Sequence, residues 1–241
     1  MTQSVLLSTA YLAPIPYYAC LMHAPQIFVE QHEHYHKQTY RNRCRIVAAN
    51  GVMDLSIPVV TCNNQDIRKV EIDYSKPWQR QHWLSLEAAY RSTPFFEYYQ
   101  DDLKPFYQQQ DIKYLFDFNA QMQQTICDLI DLHPQTVLTQ DFVLPTFSAS
   151  SAEAGLNDLR HSAELLDLRE AIHPKKNLPE SLGYCSQKYT QVFEQQLDFV
   201  PDMSIVDLLF NMGPESILCL RDSFSGGDSI SGGDNFPNAT K

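Results

Sequence analysis

The chain has 241 residues, 18 Lys and Arg against 29 Asp and Glu, a formal charge of −11 and a 44% hydrophobic fraction. Such an apolar content fills the core of one large domain or two small ones, and the acidic excess excludes adhesion to nucleic acid or anionic membranes, which would repel it at long range. No stretch reaches the roughly 18 apolar residues of a membrane helix. Met1-Thr-Gln-Ser lacks a basic leader, and Pro14 and Pro16 interrupt the apolar start, so no signal peptide and a cytoplasmic location are expected.

In chain order, Ser4 to Ser8, Gln26 to Glu30, Arg43 to Ala49, Val52 to Val60 and Ile67 to Asp73 read as strands, rich in β-branched residues and separated by short polar breaks. Asn50-Gly51 predicts a type I′ hairpin turn between the third and fourth. From Trp78 the pattern turns helical, through His82, Leu84, Leu86, Ala89 and Tyr90. Thr93-Pro94 offers an N-cap and a first-turn proline for a second helix running toward Tyr107, weakened near Lys104-Pro105. A third apolar stripe occupies Ile112 to Leu132. Leu144 to Gly155, rich in Ser and Ala, reads as a loop over the site. Ser204-x-x-Asp207 resembles a capping box whose helix ends at Asn211-Met-Gly213-Pro214. These elements predict an α+β fold, with a small N-terminal antiparallel or mixed sheet carrying a β-hairpin, followed by a mostly helical C-terminal part. One domain is expected over 1–221 and a disordered tail over 222–241. The six cysteines, at 20, 44, 62, 127, 185 and 219, show no Cys-x-x-Cys spacing and read as buried reduced thiols.

Polar chemistry concentrates in residues 28–60. His32, His34 and His36 alternate, as do Arg41, Arg43 and Arg45, so each trio faces one side if its run is extended. The histidines are either metal ligands with Glu30 or Glu33, or hydrogen-bonded histidines at the rim of a site. Same-side positions lie about 6.5 to 7 Å apart on a flat strand, which favours the rim, and no metal is assigned. Lys37, Arg41 and Arg43 suit a small anionic ligand such as a nucleotide sugar, because guanidinium groups pair bidentately with phosphate oxygens. Salt bridging to Glu30 and Glu33 is the competing reading. Tyr11, Trp78, Trp83 and Tyr90 are either core or a stacking platform for a sugar or base. His82, between the tryptophans, is a candidate general base. Asp167-Leu-Arg169 and His173-Pro174-Lys175-Lys176 set opposite charges close together, first as a structural ion-pair cluster and second as another wall of the cleft. No Walker loop, Gly-x-Gly-x-x-Gly, Gly-x-Ser-x-Gly or His-Glu-x-x-His occurs, and with eight glycines a glycine-cradled phosphate is not expected.

The segment Tyr11-Leu-Ala-Pro14-Ile-Pro-Tyr17-Tyr18, then Lys37, Asn42-Arg43 and the strands around Asn50-Gly51, resembles the WbqC-like family. The likeness continues through Trp78, His82, Trp83, Tyr90, the Ser-Thr-Pro-Phe-Phe run at 92–96, Asp-Leu-Arg169, His173-Pro-Lys and the helix before Gly213-Pro-Glu215. Many members open with His-Gln-Pro before Tyr-Leu-Pro, where this chain reads Leu7-Ser8-Thr9-Ala10-Tyr11-Leu12-Ala13-Pro14. The family is similar to proteins encoded with surface-polysaccharide genes. The resemblance thus implies a transferase of bacterial surface-polysaccharide (O-antigen type) biosynthesis acting on a nucleotide- or lipid-linked sugar. Under that reading His82 and Lys37 are the candidate catalytic residues, and Arg41, Asn42, Arg43, Tyr11, Trp78 and Trp83 bind substrate; no cofactor is assigned. A noncatalytic scaffold of the same pathway and a metal-dependent hydrolase are the alternatives.

Overall fold

Val5, Leu6 and Leu7 follow one another without a polar break and are all buried, as a strand covered on both faces requires. They form β1 (Ser4–Ser8), which pairs in parallel with β2 (Ile27–Glu30), Val5 opposite Ile27 and Ser8 opposite Glu30. In the computed structural model, which describes residues 1–60, 65–144 and 165–224, two later strands flank this pair. β7 (Thr136–Leu138) lies beside β2 and β8 (Leu165–Asp167) beside β1, both parallel, giving the order β7-β2-β1-β8.

The expected α+β arrangement is therefore corrected. The main sheet is parallel, and it draws strands from early and late in the chain in an α/β arrangement. Two signals were hard to read. The crossover helix α1 (Ile15–His23) starts with Pro16 in its first turn, where a missing N–H is no loss, and its residues from Ile15 to Leu21 are buried all round. A helix apolar on every side shows no amphipathic period. The flanking strands are three residues each, β7 exposed throughout.

The hairpin forms from β3 (Arg43–Ala48) and β4 (Gly51–Ser56). Its turn differs from the expected type I′. Ala48 pairs with Gly51, leaving Ala49 and Asn50 as the connection, and the positive φ falls on Gly51, at 114°. That is the pattern of a glycine bulge following an ordinary turn. Pro58, which has no N–H to donate, separates β4 from β5 (Val59–Val60), which pairs with β6 (Glu71–Ile72). Ile67 to Lys69, expected as strand, form a single 3₁₀ turn.

Helix α2 (Trp78–Tyr90) occupies its expected place. Thr93 does not cap the next helix, since its hydroxyl donates to the Tyr90 carbonyl and α3 (Phe96–Leu103) starts after Phe95. The Lys104-Pro105 break appears as a 3₁₀ turn, and α4 (Leu115–Leu129) fills the third apolar stripe. After the four-residue α5 (Glu194–Leu197) comes α6 (Ile205–Met212), where Ser204 Oγ accepts from the Val206 amide. The reciprocal half of the capping box is absent, because Asp207 is buried and accepts instead from Tyr90, Tyr189 and Gln191. Gly213 ends α6 at φ 56°, and a Cβ there would meet the Phe95 ring at 2.5 Å. The chain continues into α7 (Ser216–Asp222), which packs on α1, and Phe224 beyond it is buried. The loop expected from residue 144 to 155 falls, beyond Leu144, outside the described residues, as does the expected tail from residue 225. The five described cysteines are free thiols; Cys62 lies outside.

Candidate functional site

Strands β1 and β2 end side by side at Ser8 and Glu30, and β8 ends at Asp167, opposite Leu6. The chain moves from β1 to β2 in one direction and returns with β8 on the opposite side of β1. Open parallel sheets bind ligands at such a switch point, outside the carboxyl ends of the strands. A tight crevice of about 10 Å³, room for one water, lies there, lined by Ser8, Thr9, Thr39, Arg41, Arg169 and Ile172 among others.

Two buried arginines form its floor. Arg41, 2% exposed, donates through Nε to Glu33 Oε1 at 2.8 Å and through Nη2 to Ser8 Oγ at 2.8 Å and to Glu33 Oε2. Ser8 Oγ in turn donates to Glu33 Oε2 at 3.0 Å. Arg169 grips Asp167 with Nε at 2.9 Å and Nη2 at 2.6 Å, and reaches Glu30 Oε2 through Nη1 at 3.2 Å. Glu30 is fully buried, and it also accepts from the His32 amide, Thr139 Oγ1 and the Val143 amide. Buried carboxylates persist as anions only when paired and hydrogen-bonded to this degree. Asn119 fixes the backbone beside Arg41, donating from Nδ2 to the Arg41 carbonyl and to Thr9 Oγ1. Glu170 alone is loosely held: its side chain is 62% exposed, with Oε1 3.5 Å from Arg41 Nη2.

The residues picked from the sequence divide between this cleft and elsewhere. Arg41 lies in the cleft. Asn42 donates to the Ile57 carbonyl, and Arg43 turns across the hairpin to Asp54 at 3.1 Å. Lys37 is exposed on the turn before them. The three cations thus do not converge on one point. His82 is buried, with Nδ1 3.0 Å from the Tyr11 hydroxyl, which lies 2.8 Å from Tyr107 Oη. Burial pushes its imidazole down to about 4, so it is neutral at pH 7 and sealed from solvent. Trp78 packs edge-on against His82, Tyr107 and Phe118, and Trp83 against Phe96 and Tyr107. Both tryptophans are core. His32, His34 and His36 lie on no strand, and among the described residues no group of three His, Cys, Asp or Glu could hold a metal ion.

Ser8 was not foreseen: its signal is a single polar residue at the end of an apolar strand. Glu33 takes the salt-bridging role weighed as the competing reading of the cations, pairing with Arg41, and Glu30 pairs with Arg169. Arg169 and His173, weighed first as structural, stand in the cleft wall and beside it. His173 is half-buried, its imidazole lowered by burial and by Lys176.

A short parallel sheet with a crevice at its switch point, floored by paired arginines and carboxylates, places the chain among α/β proteins. The sequence model of the WbqC-like protein family matches residues 9–219, and the chain belongs to that family. It is also similar to uncharacterized protein Rv1507c of Mycobacterium tuberculosis, 24% identical over 237 residues, covering 92% of this chain and 98% of that protein. No solved structure matches.

Proposed function

We propose that the protein is a cytoplasmic transferase of bacterial surface-polysaccharide biosynthesis that holds a nucleotide- or lipid-linked sugar in the cleft at the ends of β1 and β8. The pathway rests on the family's likeness to proteins encoded with surface-polysaccharide genes. The observation that carries the site is the pairing of Arg41 with Glu33 and Ser8 beside that of Arg169 with Asp167 and Glu30, at the switch point. Glu170 is the placeholder on Arg41: its carboxylate is exposed and held only at 3.5 Å, so an incoming anion or polar sugar group displaces it. His173 then takes the general-base role that the sequence suggested for His82, because it is neutral at pH 7 and opens beside the cleft. Its task is to accept a proton from an acceptor hydroxyl or amine.

The test is turnover of a panel of nucleotide sugars and short-chain lipid diphosphate sugars. Activity lost in His173→Gln and retained in His82→Phe supports the reading; the reverse pattern sinks it. A noncatalytic scaffold is the second reading, favoured by the complete pairing of both arginines with protein carboxylates, and ligand binding without turnover across the panel would select it.

A further inference from the structure

The two arginines of the cleft are already neutralised, which leaves open where a diphosphate's charge is met. Tyr40 and Ile172 line both the crevice and a cavity of about 360 Å³, so the two are neighbours. Arg45, His173, Lys175 and Lys176 line the cavity. Among the described residues, Arg45, Lys175 and Lys176 take part in no ion pair, in a chain with 29 acidic residues. The polar contacts of the lysines are neutral: Lys175 Nζ donates to Gln38 Oε1 at 2.6 Å and Lys176 Nζ to the Glu170 carbonyl at 3.1 Å. The acid in the lining, Asp202, is engaged by Tyr184 Oη at 2.7 Å.

Pro14 and Pro16, at the start of α1, form another wall. The positive end of that helix's dipole therefore faces the cavity. Its amides are not available as a cradle, because Ile15 N donates to the Met203 carbonyl, Pro16 has no N–H and Tyr17 N donates to the Pro14 carbonyl. Where related topologies grip phosphate with glycine-loop amides, this chain has closed that route and set side-chain cations around the same place.

We infer that this cavity is the diphosphate subsite, with Arg45, Lys175 and Lys176 taking the phosphoryl oxygens of a diphosphate ester. The inference deepens the transferase reading without depending on turnover. The shared chemistry is a substituted pyrophosphate, supplied either by a nucleotide or by a polyprenyl lipid.

The test is isothermal titration calorimetry of the full chain with inorganic pyrophosphate, UDP and geranyl diphosphate. Native protein is compared with Lys175→Gln/Lys176→Gln and with Lys69→Gln/Lys76→Gln as a control of equal charge loss elsewhere. Pyrophosphate is expected to bind the native protein, about tenfold or more weakly in the 175/176 variant, and nearly unchanged in the 69/76 control. Tighter binding of UDP than pyrophosphate names a nucleotide source, and of geranyl diphosphate a lipid one. Absence of pyrophosphate binding to the native protein, binding that survives in the 175/176 variant, or an equal loss in the 69/76 control overturns the assignment. A protein that binds as expected but turns over no activated sugar keeps this subsite and loses the transferase.

Discussion

Around His82, buried polar atoms are few and serve packing: one imidazole, the Tyr11 and Tyr107 hydroxyls, and rings of Trp78 and Phe118 on every side. At the ends of β1, β2 and β8 the chain instead buries formal charges, two guanidinium groups against three carboxylates, and satisfies them nearly bond for bond. The first region gains from removing apolar surface from water. The second pays desolvation to hold charge at a sheet edge, and replacing such pairs with apolar residues is often neutral or stabilising. Retained beside a crevice, they are what the proposed binding site uses.

The sharpest way to break this contrast is to remove one cation from the charged region. Arg169→Ala leaves fully buried Glu30 without its countercharge, and a loss of about 3 to 5 kcal/mol in urea unfolding is expected; a loss under 1 kcal/mol would mean that Glu30 is held by its neutral donors alone. Next comes pH. Burial lowers His82 to about 4 from an ordinary 6.5, so between those values the unfolded chain binds a proton that the folded chain refuses. Its contribution is present in full above pH 6.5 and is lost as the pH falls toward 4, about 3 kcal/mol at most. On acidification from pH 7 toward 4 the native protein should therefore lose roughly that much more stability than His82→Phe, read from urea unfolding at each pH. A smaller effect separates the regions by function: Tyr11→Phe costs about 1 kcal/mol of stability and leaves pyrophosphate binding unchanged. Smallest of all, Lys37→Ala, on an exposed turn, should stay within about 0.5 kcal/mol of the native protein.

Much of the scaffold was legible because its signals are local. β1 and the hairpin show as apolar runs and alternation, and α2 and α4 as helical stripes. The parallel sheet was not legible, because pairing of β1 with β8 is set by residues far apart in sequence, and three-residue strands carry no period. In the site, Arg41 and its partner Glu33 were both legible within one polar run, eight residues apart, whereas the hydroxyl of Ser8 comes from β1 and only the fold brings it to them. His82 misled for a related reason. A histidine flanked by tryptophans looks alike whether the aromatics cover a ligand or each other, and burial alone distinguishes the two cases.

Sheet order also bears on how the chain reaches its native state. Ser4 meets Leu165 and Val5 meets Leu166, so one whole edge of β1 waits for a strand synthesised long after it. Pairings this distant in sequence make for slow folding, since a large loop must close before the contact rewards it. Until then β1 carries an open apolar edge able to pair with another chain. Fragments ending before residue 165 should accordingly aggregate, and during synthesis the nascent N-terminal part should depend on chaperones until β8 has left the ribosome.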